Sequence, residues 1–518
     1  MSLPRLLAGF ALLLFALVLM RPLLPVDETR YLAVAWEMQL SGDPFHLTRN
    51  FASYSHKPPL LFWLINLVWG VTGVSELAGR LVAPAFGVAT LAATAGLGRA
   101  MWPEDRATGL MAAAVLAGFS VFQIYASTTM FDTMLTLAVV GGIAALWRIG
   151  QTAGVGRGSW AALGLMLAFG TYAKGPVILV HLLPPLLLMR FWAPSPPTAM
   201  GMVRGFGLAL LVALALVALW LVPTLLTADA AFRHELLWSQ SVDRVSGGMA
   251  HDRPIWFLAL LLPVILFPWV YCARFWRALP GLYSHDAAAR LCLIWATSGL
   301  VLFSFVSSKQ AHYLLPELPA LALVLGRALA GQGRDLGRGA SLAPWLVVAM
   351  GAGLGLVATG LVKSAAGGGL HGLPVVALAL GLIALGVWGR QLPVLTGHLM
   401  LGAAVTVALH LYFLMSGQFD GYDSRRLAVL LSPAGDGQLA FTGGTYNAEV
   451  NFTARYHLPV ATPRTAADLV AWAVAHPDGL VFGPVPTAPI PVPPQETIDF
   501  GSDPIGIWPA SAALTARE

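Results

Sequence analysis

Long apolar segments separated by short polar stretches run through most of the chain. Fourteen such segments lie at roughly 4–24, 58–73, 78–101, 107–126, 131–150, 158–173, 176–192, 204–226, 254–276, 289–306, 313–331, 342–363, 373–390 and 393–416. A membrane-spanning helix needs about 20 residues, and most of these segments approach that length. Segment 58–73 is short, begins with Pro58 and Pro59, and is followed by a polar turn, so it is a weak candidate for a span.

The arginines in the loops decide between two membrane topologies. If 58–73 does not cross the membrane, the arginine-rich loops fall on the side of Arg5, which the positive-inside rule makes cytoplasmic. These loops carry Arg99/Arg106, Arg148/Arg157, Arg190/Arg204, Arg274/Arg277/Arg290, Arg327/Arg334/Arg338 and Arg390. If 58–73 crosses, the same arginines lie opposite Arg5. The sequence therefore predicts thirteen spans, a cytoplasmic N-terminus, an external C-terminus and an interfacial helix at 58–73.

Composition supports the membrane interpretation. The chain is 57% hydrophobic and 11% charged, with a mean hydropathy of +0.73, whereas soluble domains are about 25% charged. The formal charge of +5 comes mainly from arginines in short loops, which is a topology signal and not a nucleic-acid signal. The two cysteines form no disulfide framework, and the first apolar run lacks a small-residue cleavage site, which favours a signal anchor.

The composition changes after Asp420, where a second domain is predicted. Short apolar runs at 438–441, 466–474 and 479–482 read as strand, helix and strand, followed by an extended proline-rich stretch at 484–494. The predicted fold is therefore an all-α polytopic membrane domain over 1–416, with its first external segment at 25–79. A small soluble α/β domain follows over 417–518.

This topology places the polar chemistry of the molecule on one face. The outer segments run from Asp27 to Lys57 and from Thr128 to Asp132, and they include Lys174, the loop 227–253, Ser307 to Tyr313, and the tail. The sequence therefore predicts a site at the outer membrane surface.

Asp27 and Glu28 have two interpretations. Acids in a first helical turn favour the helix dipole, and Pro25 ends the first apolar run just before them. A carboxylate just outside a membrane helix is also where a general base for a lipid-borne substrate would lie.

The sequence His56-Lys57-Pro58-Pro59 also has two interpretations. Lys57 could be an interfacial lysine that extends to the headgroups. The two prolines stiffen the backbone after it, however, and a fixed ammonium at the bilayer surface suits a phosphate.

Asp132 and Lys174 lie at the ends of spans. Asp132 could cap the helix that begins at Thr133, and Lys174 could be a snorkelling lysine in a turn. An acid at this depth is costly unless it faces protein or water, so capping and a functional role are equal alternatives for Asp132. For Lys174 the residues by themselves slightly favour the snorkelling interpretation.

The remaining polar loops limit the possible cofactors. Loop 227–253 and the stretch from Ser307 to Tyr313 contain several histidines, but no His-x-Glu, HExxH or cysteine pair has metal-ligand spacing. We therefore predict no required cofactor, although a divalent metal is not excluded. No nucleotide-binding motif occurs in the right strand–helix context, so the sequence predicts no nucleotide site.

The motifs resemble those of the GT-C glycosyltransferases, and most closely the bacterial lipid A 4-amino-4-deoxy-L-arabinose transferase group, which is related to the protein O-mannosyltransferases. The matching pieces occur in the family's order: Asp27-Glu-Thr-Arg-Tyr31, His56-Lys-Pro-Pro-Leu-Leu-Phe-Trp63, Phe131-Asp132, Lys174-Gly-Pro176, His251 to Trp256, Pro268-Trp269, Ser308-Lys309 to Pro316, and Tyr446-Asn-Ala-Glu-Val-Asn-Phe452. The resemblance covers nearly the whole chain.

The resemblance implies transfer of a sugar from undecaprenyl phosphate to a periplasmic acceptor such as lipid A or another envelope glycan, in the bacterial inner membrane. It implies direct displacement with inversion, with Asp27 as the base or orienting acid. The candidate catalytic acids are Asp27, Asp132 and Glu28. The candidates for binding the carrier phosphate are Lys57, Arg244, Tyr31, Tyr54 and Tyr313. The candidates for substrate binding are His56, Lys174, His251, Arg253, Lys309 and His312. His56 departs from the family, whose lipid A sugar transferases usually have glutamate there.

A transporter or flippase of lipid-linked glycans is one alternative, and a catalytically silent cell-envelope assembly protein, which the ordered polar loops disfavour, is another. Transporters carry charges near the membrane midplane and often show inverted repeats. Here the charges collect at one surface and no repeat is visible, so the sequence favours the transferase.

Overall fold

The computed structural model describes residues 2–152, 156–227, 230–236, 253–330, 341–359 and 372–516. In these ranges the α-helices are α1 (Leu3–Leu19), α2 (Asp27–Ser41), α3 (Leu60–Thr72), α4 (Glu76–Arg80), α5 (Val82–Met101), α6 (Arg106–Gly118), α7 (Ser120–Ala126), α8 (Asp132–Gln151), α9 (Arg157–Lys174), α10 (Ile178–Leu187), α11 (Ala199–Thr227), α12 (Ala230–His234), α13 (Phe257–Ile265), α14 (Ala273–His285), α15 (Ala287–Ser304), α16 (Leu318–Ala330), α17 (Ala343–Ala358), α18 (Leu373–Gly389), α19 (Val394–Met415), α20 (Ser424–Leu431), α21 (Ala466–Ala475) and α22 (Ala510–Ala513). The strands are β1 (Thr48–Arg49), β2 (Ala52–Ser53), β3 (Leu439–Phe441), β4 (Leu480–Pro484), β5 (Glu496–Phe500) and β6 (Asp503–Pro509). Short 3-10 helices lie at Gly175–Val177, Met189–Phe191, Trp269–Tyr271, Ala311–Glu317, Asp420–Tyr422 and Ser432–Ala434.

The chain folds into two compact units. The first contains Met1–Val18, Ser55–Leu61 and Arg80–Leu411, and the second contains Leu19–Tyr54, Phe62–Gly79 and Tyr412–Glu518. The second unit thus joins the tail to most of the first external segment, although the sequence analysis divided the chain at 416/417.

The first unit is a helical bundle with one large apolar core. In it α16 packs against α6, α11 against α9, and α8 against both α5 and α9. Small residues permit close approach of the helices, as they do in other membrane bundles. A Cβ atom on Gly109 of α6 would lie 2.4 Å from the carbonyl oxygen of Ala95 on α5, so only glycine fits there.

The helices confirm a multi-pass membrane protein. Seven helices of the described ranges are long and apolar enough to span a membrane, or eight if the bent pair α6 and α7 counts as one span. These two helices meet at a bend of 74°. The described ranges also contain apolar helices of 10–17 residues, such as α1, α17 and α18, which are shorter than these candidate spans. The count of thirteen spans stays a prediction.

Segment 254–276 differs from the single span expected from its apolar composition. Helix α13 ends at Ile265, a 3-10 turn follows at Trp269–Tyr271, and α14 starts at Ala273 and continues to His285. Pro268 lies in this break, where its ring and missing N–H oppose a continuous helix.

Helix α3 has the length expected of an interfacial helix. Its 13 residues give about 20 Å at the rise of an α-helix, whereas the hydrocarbon core is about 30 Å thick. Leu67 and Val71 on this helix are exposed. Its position at the interface stays a prediction.

The second unit contains the α/β fold predicted for the tail. Its sheet has the order β3-β4-β6-β5, with β3 and β4 parallel and the other neighbours antiparallel. Helix α21 connects the two parallel strands, as predicted for strand, helix and strand. Leu469, Val481 and Trp508 form part of the apolar core between the helix and the sheet.

Residues of the segment 446–456 connect the tail to the earlier part of this unit. The indole N–H of Trp36 on α2 donates to the carbonyl oxygen of Tyr456 (2.9 Å), and the ring of Trp69 stacks on that of Phe452 (centroids 5.4 Å apart). The amide of the buried Asn451 donates to the side-chain oxygen of Asn50 (3.2 Å). Asn451 is therefore a structural residue, although Asn451-Phe452-Thr453 matches a glycosylation acceptor.

Candidate active site

An ion pair between two helix ends lies at the centre of the candidate site in the first unit. Asp132, the first residue of α8, is 1% exposed and accepts a hydrogen bond from Nζ of Lys174 (2.6 Å), the last residue of α9. Gly175 follows with φ = +76°, a conformation that glycine adopts without strain, and lets the chain turn directly into a 3-10 helix. Asp132 makes no capping hydrogen bond at the start of α8, and its carboxylate pairs with the ammonium group of Lys174 instead.

Further polar groups surround this ion pair. Nζ of Lys174 lies 5.1 Å from the centroid of the Tyr313 ring, and the Tyr313 ring contacts that of His312 (centroids 5.0 Å apart). His312 in turn lies 5.5 Å from the ring of Tyr125. Such cation–ring contacts hold an ammonium group in place without removing its charge.

Lys57 completes the group, which we call the Asp132 cluster: Lys57, Tyr125, Asp132, Lys174, His312 and Tyr313. Nζ of Lys57 lies 5.7 Å from the ring of Phe131, and the charges of Lys57 and His312 both act on the carboxylate of Asp132. Two lysines thus face one buried carboxylate, so the cluster has a net positive charge even with His312 neutral.

Arg253 and Lys309 lie beside one another. The buried ammonium of Lys309 donates to the carbonyl oxygen of Arg253, and the amide of Arg253 donates to the carbonyl oxygen of Ser307 (3.2 Å). The guanidinium of Arg253 lies 4.4 Å from the ring of Phe257. Lys309 therefore anchors the backbone, while Arg253 acts electrostatically on Tyr125 of the Asp132 cluster. Arg244 and His251 lie outside the described residues.

A second polar group, the Asp27 cluster, lies in the second unit and comprises Asp27, Arg30, Tyr31 and Tyr54. Asp27 is in the first turn of α2, and its Oδ1 accepts hydrogen bonds from the hydroxyl of Tyr31 (2.8 Å) and from the guanidinium of Arg30. The Asp27 side chain remains 44% exposed, whereas Tyr31 and Tyr54 are buried. The carboxylate is thus oriented from the protein side and accessible from the other.

The protonation states within the Asp27 cluster follow from burial and charge. Burial, together with the charge of Asp27, raises the pKa of Tyr31 well above its ordinary value, so the phenol keeps its proton and donates. Burial alone would lower the pKa of Arg30, but Tyr54, Tyr31 and Asp27 raise it overall, so the guanidinium stays charged. Both donors therefore favour an ionised Asp27.

Glu28 has a different environment from its neighbour. It is buried, its two oxygens bind the guanidinium of Arg21, and one of them also accepts from the amide of Leu24 (3.0 Å). These contacts tie the end of the first apolar segment to α2. These contacts favour a structural role for Glu28, and its predicted catalytic role stays a prediction.

His56 lies at the surface of the first unit. Its Nε2 is 3.4 Å from a carboxylate oxygen of Glu235, and both side chains are more than 40% exposed. An exposed pair of this kind contributes little stability. His56 is next to Lys57 in sequence, and its predicted contact with substrate stays a prediction.

The described side chains were also compared with the arrangement that a metal ion requires. In the described ranges no group of three or more His, Cys, Asp or Glu side chains is arranged to hold a metal ion. The prediction that no cofactor is required stays a prediction.

Two members of the clusters were missed by the sequence analysis. Arg30 lies three residues after Asp27, a spacing that brings helix side chains together, so it could have been found. Tyr125 ends an apolar segment just before the polar stretch Ser127–Thr129, which is a weaker signal.

The chain is similar to known proteins at the level of family, sequence and fold. A family described as dolichyl-phosphate-mannose-protein mannosyltransferase matches residues 56–222. An undecaprenyl phosphate-alpha-4-amino-4-deoxy-L-arabinose arabinosyl transferase 2 of Pseudomonas fluorescens Pf-5 is 30% identical over 354 residues, which are 65% of this chain and 58% of that protein. The protein of the same name from P. fluorescens Pf0-1 is 29% identical over 392 residues, 71% and 69% of the two chains. The chain thus spans little more than half the length of the first of these curated relatives.

Solved structures establish the fold. ArnT from Cupriavidus metallidurans bound to undecaprenyl phosphate superposes with a TM-score of 0.73 at 18% identity, covering 99% of both chains. The apo state of that protein gives 0.75 at 17% identity, covering 99% of this chain and 98% of that one. The GT-C fold expected from the ordered motifs is confirmed.

Proposed function

We propose that this chain, which has the GT-C glycosyltransferase fold, is a bacterial inner-membrane enzyme that transfers a sugar from an undecaprenyl-phosphate carrier to an acceptor on the periplasmic side. The proposed acceptor is lipid A or another envelope glycan. The observation that carries this proposal is the Asp132 cluster, in which the side chains of Lys57 and Lys174 lie close to helix ends of a multi-pass protein. The names of the relatives and of the bound structure support the carrier.

The Asp132 cluster suits the phosphate end of a lipid-linked donor. When the glycosidic bond breaks, the polyprenyl phosphate leaves with the bonding electrons and gains negative charge. Lys57, Lys174 and the Tyr313 hydroxyl can stabilise that charge as it develops, so a separate acid catalyst is not needed. Asp132 holds Lys174 in place and lowers the cost of keeping two lysines close together.

The Asp27 cluster suits the acceptor end of the reaction. As the acceptor oxygen bonds to the anomeric carbon from the face opposite the phosphate, Asp27 takes the hydroxyl proton, and the configuration inverts. If the acceptor is an ionised phosphate, no proton moves and Asp27 orients it. Arg30 and Tyr31 fix the carboxylate in both cases.

The donor sugar is proposed from the relatives. They are named as 4-amino-4-deoxy-L-arabinose transferases, so an aminopentose linked to undecaprenyl phosphate is the first donor to test. His56 replaces the glutamate usual in that group, so galacturonate, mannose and arabinofuranose donors belong in the same assay.

Transfer by the purified protein tests the proposal. We expect label to move from an undecaprenyl-phosphate sugar to lipid A, and we expect Asp27→Asn to reduce the rate by at least about 100-fold because no base remains. Asp43→Asn is the matched control, since it removes a carboxylate charge from the same segment and is expected to leave transfer unchanged. Full activity in Asp27→Asn would remove Asp27 from the catalytic role.

A comparison of cells with and without the gene identifies the acceptor. Mass spectrometry of lipid A and envelope glycans is expected to show one sugar residue lost in the deletion strain.

A transporter of lipid-linked glycans would move the labelled lipid across vesicle membranes without forming a new glycosidic bond, and that result would contradict the proposal.

A further inference from the structure

A buried histidine–glutamate pair lies inside the first unit, away from the charged groups discussed so far. Nδ1 of His181 on α10 is 2.6 Å from Oε1 of Glu317, and the two side chains are 1% and 3% exposed. Burying such groups is costly, and an apolar pair of similar size often stabilises a protein equally well or better. Stability alone therefore explains the pair poorly.

The pair connects the two elements that carry the Asp132 cluster. His181 follows Lys174 by one 3-10 turn and the first turn of α10. Glu317 ends the 3-10 helix Ala311–Glu317, which has His312 and Tyr313 near its start. The hydrogen bond thus joins the element after Lys174 to the element that presents the ring facing Lys174.

Ring contacts make a second connection between the pair and the cluster. The His181 ring lies 5.3 Å from that of Phe303, and Phe303 lies 5.4 Å from Tyr313. The Phe303 ring therefore contacts both the His181 ring of the buried pair and the Tyr313 ring of the Asp132 cluster.

The neighbouring helix leaves room for the Glu317 carboxylate. A Cβ atom on Gly299 of α15 would lie 2.0 Å from Oε1 of Glu317, which no side chain there could avoid. Oε2 of Glu317 is buried and has no hydrogen-bond partner among the described residues. The glycine at 299 therefore leaves space for the Glu317 carboxylate, although Oε2 of that carboxylate makes no hydrogen bond to the described residues.

We propose that His181 and Glu317 are positioning residues, whose hydrogen bond sets the place of Tyr313 and His312 relative to Lys174 and so shapes the binding of the polyprenyl phosphate. The inference rests on the proposed function. A small displacement of a binding group can cost far more than the contact that held it, because the charge and its partner no longer meet.

Binding of undecaprenyl phosphate to the purified full chain is the direct test. His181→Ala and Glu317→Ala are each expected to raise the Kd about tenfold, and the double variant is expected to be no worse than either, because both lose one shared bond. Glu317→Gln keeps an oxygen and an amide beside His181, so it is expected to restore affinity to within about threefold of the unsubstituted protein. In the transfer assay the KM for the donor should rise more than kcat falls.

His398→Ala is the matched control. His398 is also a buried histidine of the first unit with one polar side-chain partner, the hydroxyl of Ser341 (2.8 Å), and it stacks on Trp269. None of its hydrogen-bond and ring partners in the described ranges belongs to the Asp132 cluster, so its removal is expected to lower the Tm and leave the Kd unchanged. Gly299→Ala is expected to displace the Glu317 carboxylate while His181 and Glu317 keep their own side chains. This variant therefore tests the inference if the alanine variants of the pair do not fold.

The outcomes separate the two proposals. If the unsubstituted protein does not bind undecaprenyl phosphate, the proposed function and this inference both fail. If it binds, and His181→Ala, Glu317→Ala and Gly299→Ala bind equally well, only the inference fails. An equal loss of affinity in His398→Ala at the same loss of Tm would show a general packing effect and would also overturn the inference.

Discussion

Adjacent residues of the same chemical type have different roles in this protein. Asp27 and Glu28 are neighbours on the first turn of α2, yet Asp27 is half exposed and Glu28 is buried against Arg21. Consecutive residues of an α-helix point about 100° apart, so one of the two side chains can meet a substrate while the other packs inside the fold. Sequence alone placed both in the catalytic group because it has no information on this direction.

Glu28→Gln tests this division. The substitution removes the negative charge of Glu28 from a buried ion pair, so we expect a loss of about 3 kcal/mol in the free energy of unfolding. The variant that remains folded should transfer sugar at nearly the normal rate, in contrast to Asp27→Asn. Thermal unfolding in detergent and the transfer assay measure the two effects, and loss of activity without loss of stability would return Glu28 to the catalytic group.

At the level of elements, α2 is fixed to the turn between β1 and β2. The two oxygens of Glu37 accept hydrogen bonds from the amides of Asn50 (2.7 Å) and Phe51 (2.8 Å). Both of these residues have positive φ, so the turn is strained and needs the carboxylate. Because Asn50 also binds the amide and carbonyl of Val460, this turn links the helix to the tail.

Glu37 is expected to make stability depend on pH. Burial raises its pKa above the ordinary value, although the hydrogen bonds oppose the shift. A carboxyl with a higher pKa in the folded state binds its proton more tightly there, so its contribution to stability increases as pH falls through the folded pKa and levels off below the unfolded value of about 4.3. Tm measured from pH 7 down to about pH 4 should therefore rise relative to that of Glu37→Gln. A constant difference between the two proteins would contradict this assignment.

At the level of the whole molecule, the arrangement of arginines predicts which loops share a side of the membrane. The helical lengths agree with a short α3 that stays on one side, since 13 residues cannot cross the hydrocarbon core unless the bilayer thins. The loop after α14 is predicted to be cytoplasmic, and the tail and both ends of α3 are predicted to be external.

Single cysteines test this topology. Cys272 and Cys292 are both buried, so background labelling should be low. In cells with a permeable outer membrane, Ala52→Cys, Thr72→Cys and Ser502→Cys should react with an impermeant maleimide, whereas Ser284→Cys should react only after the inner membrane is opened. Opposite labelling of Ala52→Cys and Thr72→Cys would mean that α3 crosses the membrane.

Several features were determined by the sequence itself. The length and apolar character of the helices, the strand–helix–strand order of the tail, and the polar chemistry at Asp27, Lys57, Asp132 and Lys174 all depend on local composition and spacing. Such features can be predicted without knowing how the helices pack, because an apolar stretch has to lie in lipid or in a protein core. A charge at the end of such a stretch likewise needs a polar environment.

Tertiary structure decided which of these groups meet. The partners Asp132 and Lys174 are 42 residues apart, His181 and Glu317 are 136 apart, and Asn50 and Val460 are 410 apart. It also broke the apolar segment 254–276 at Pro268 and paired the buried Glu28 with Arg21. Helix packing brings distant side chains together within a few ångströms, and no local pattern of apolar and polar positions encodes those distances.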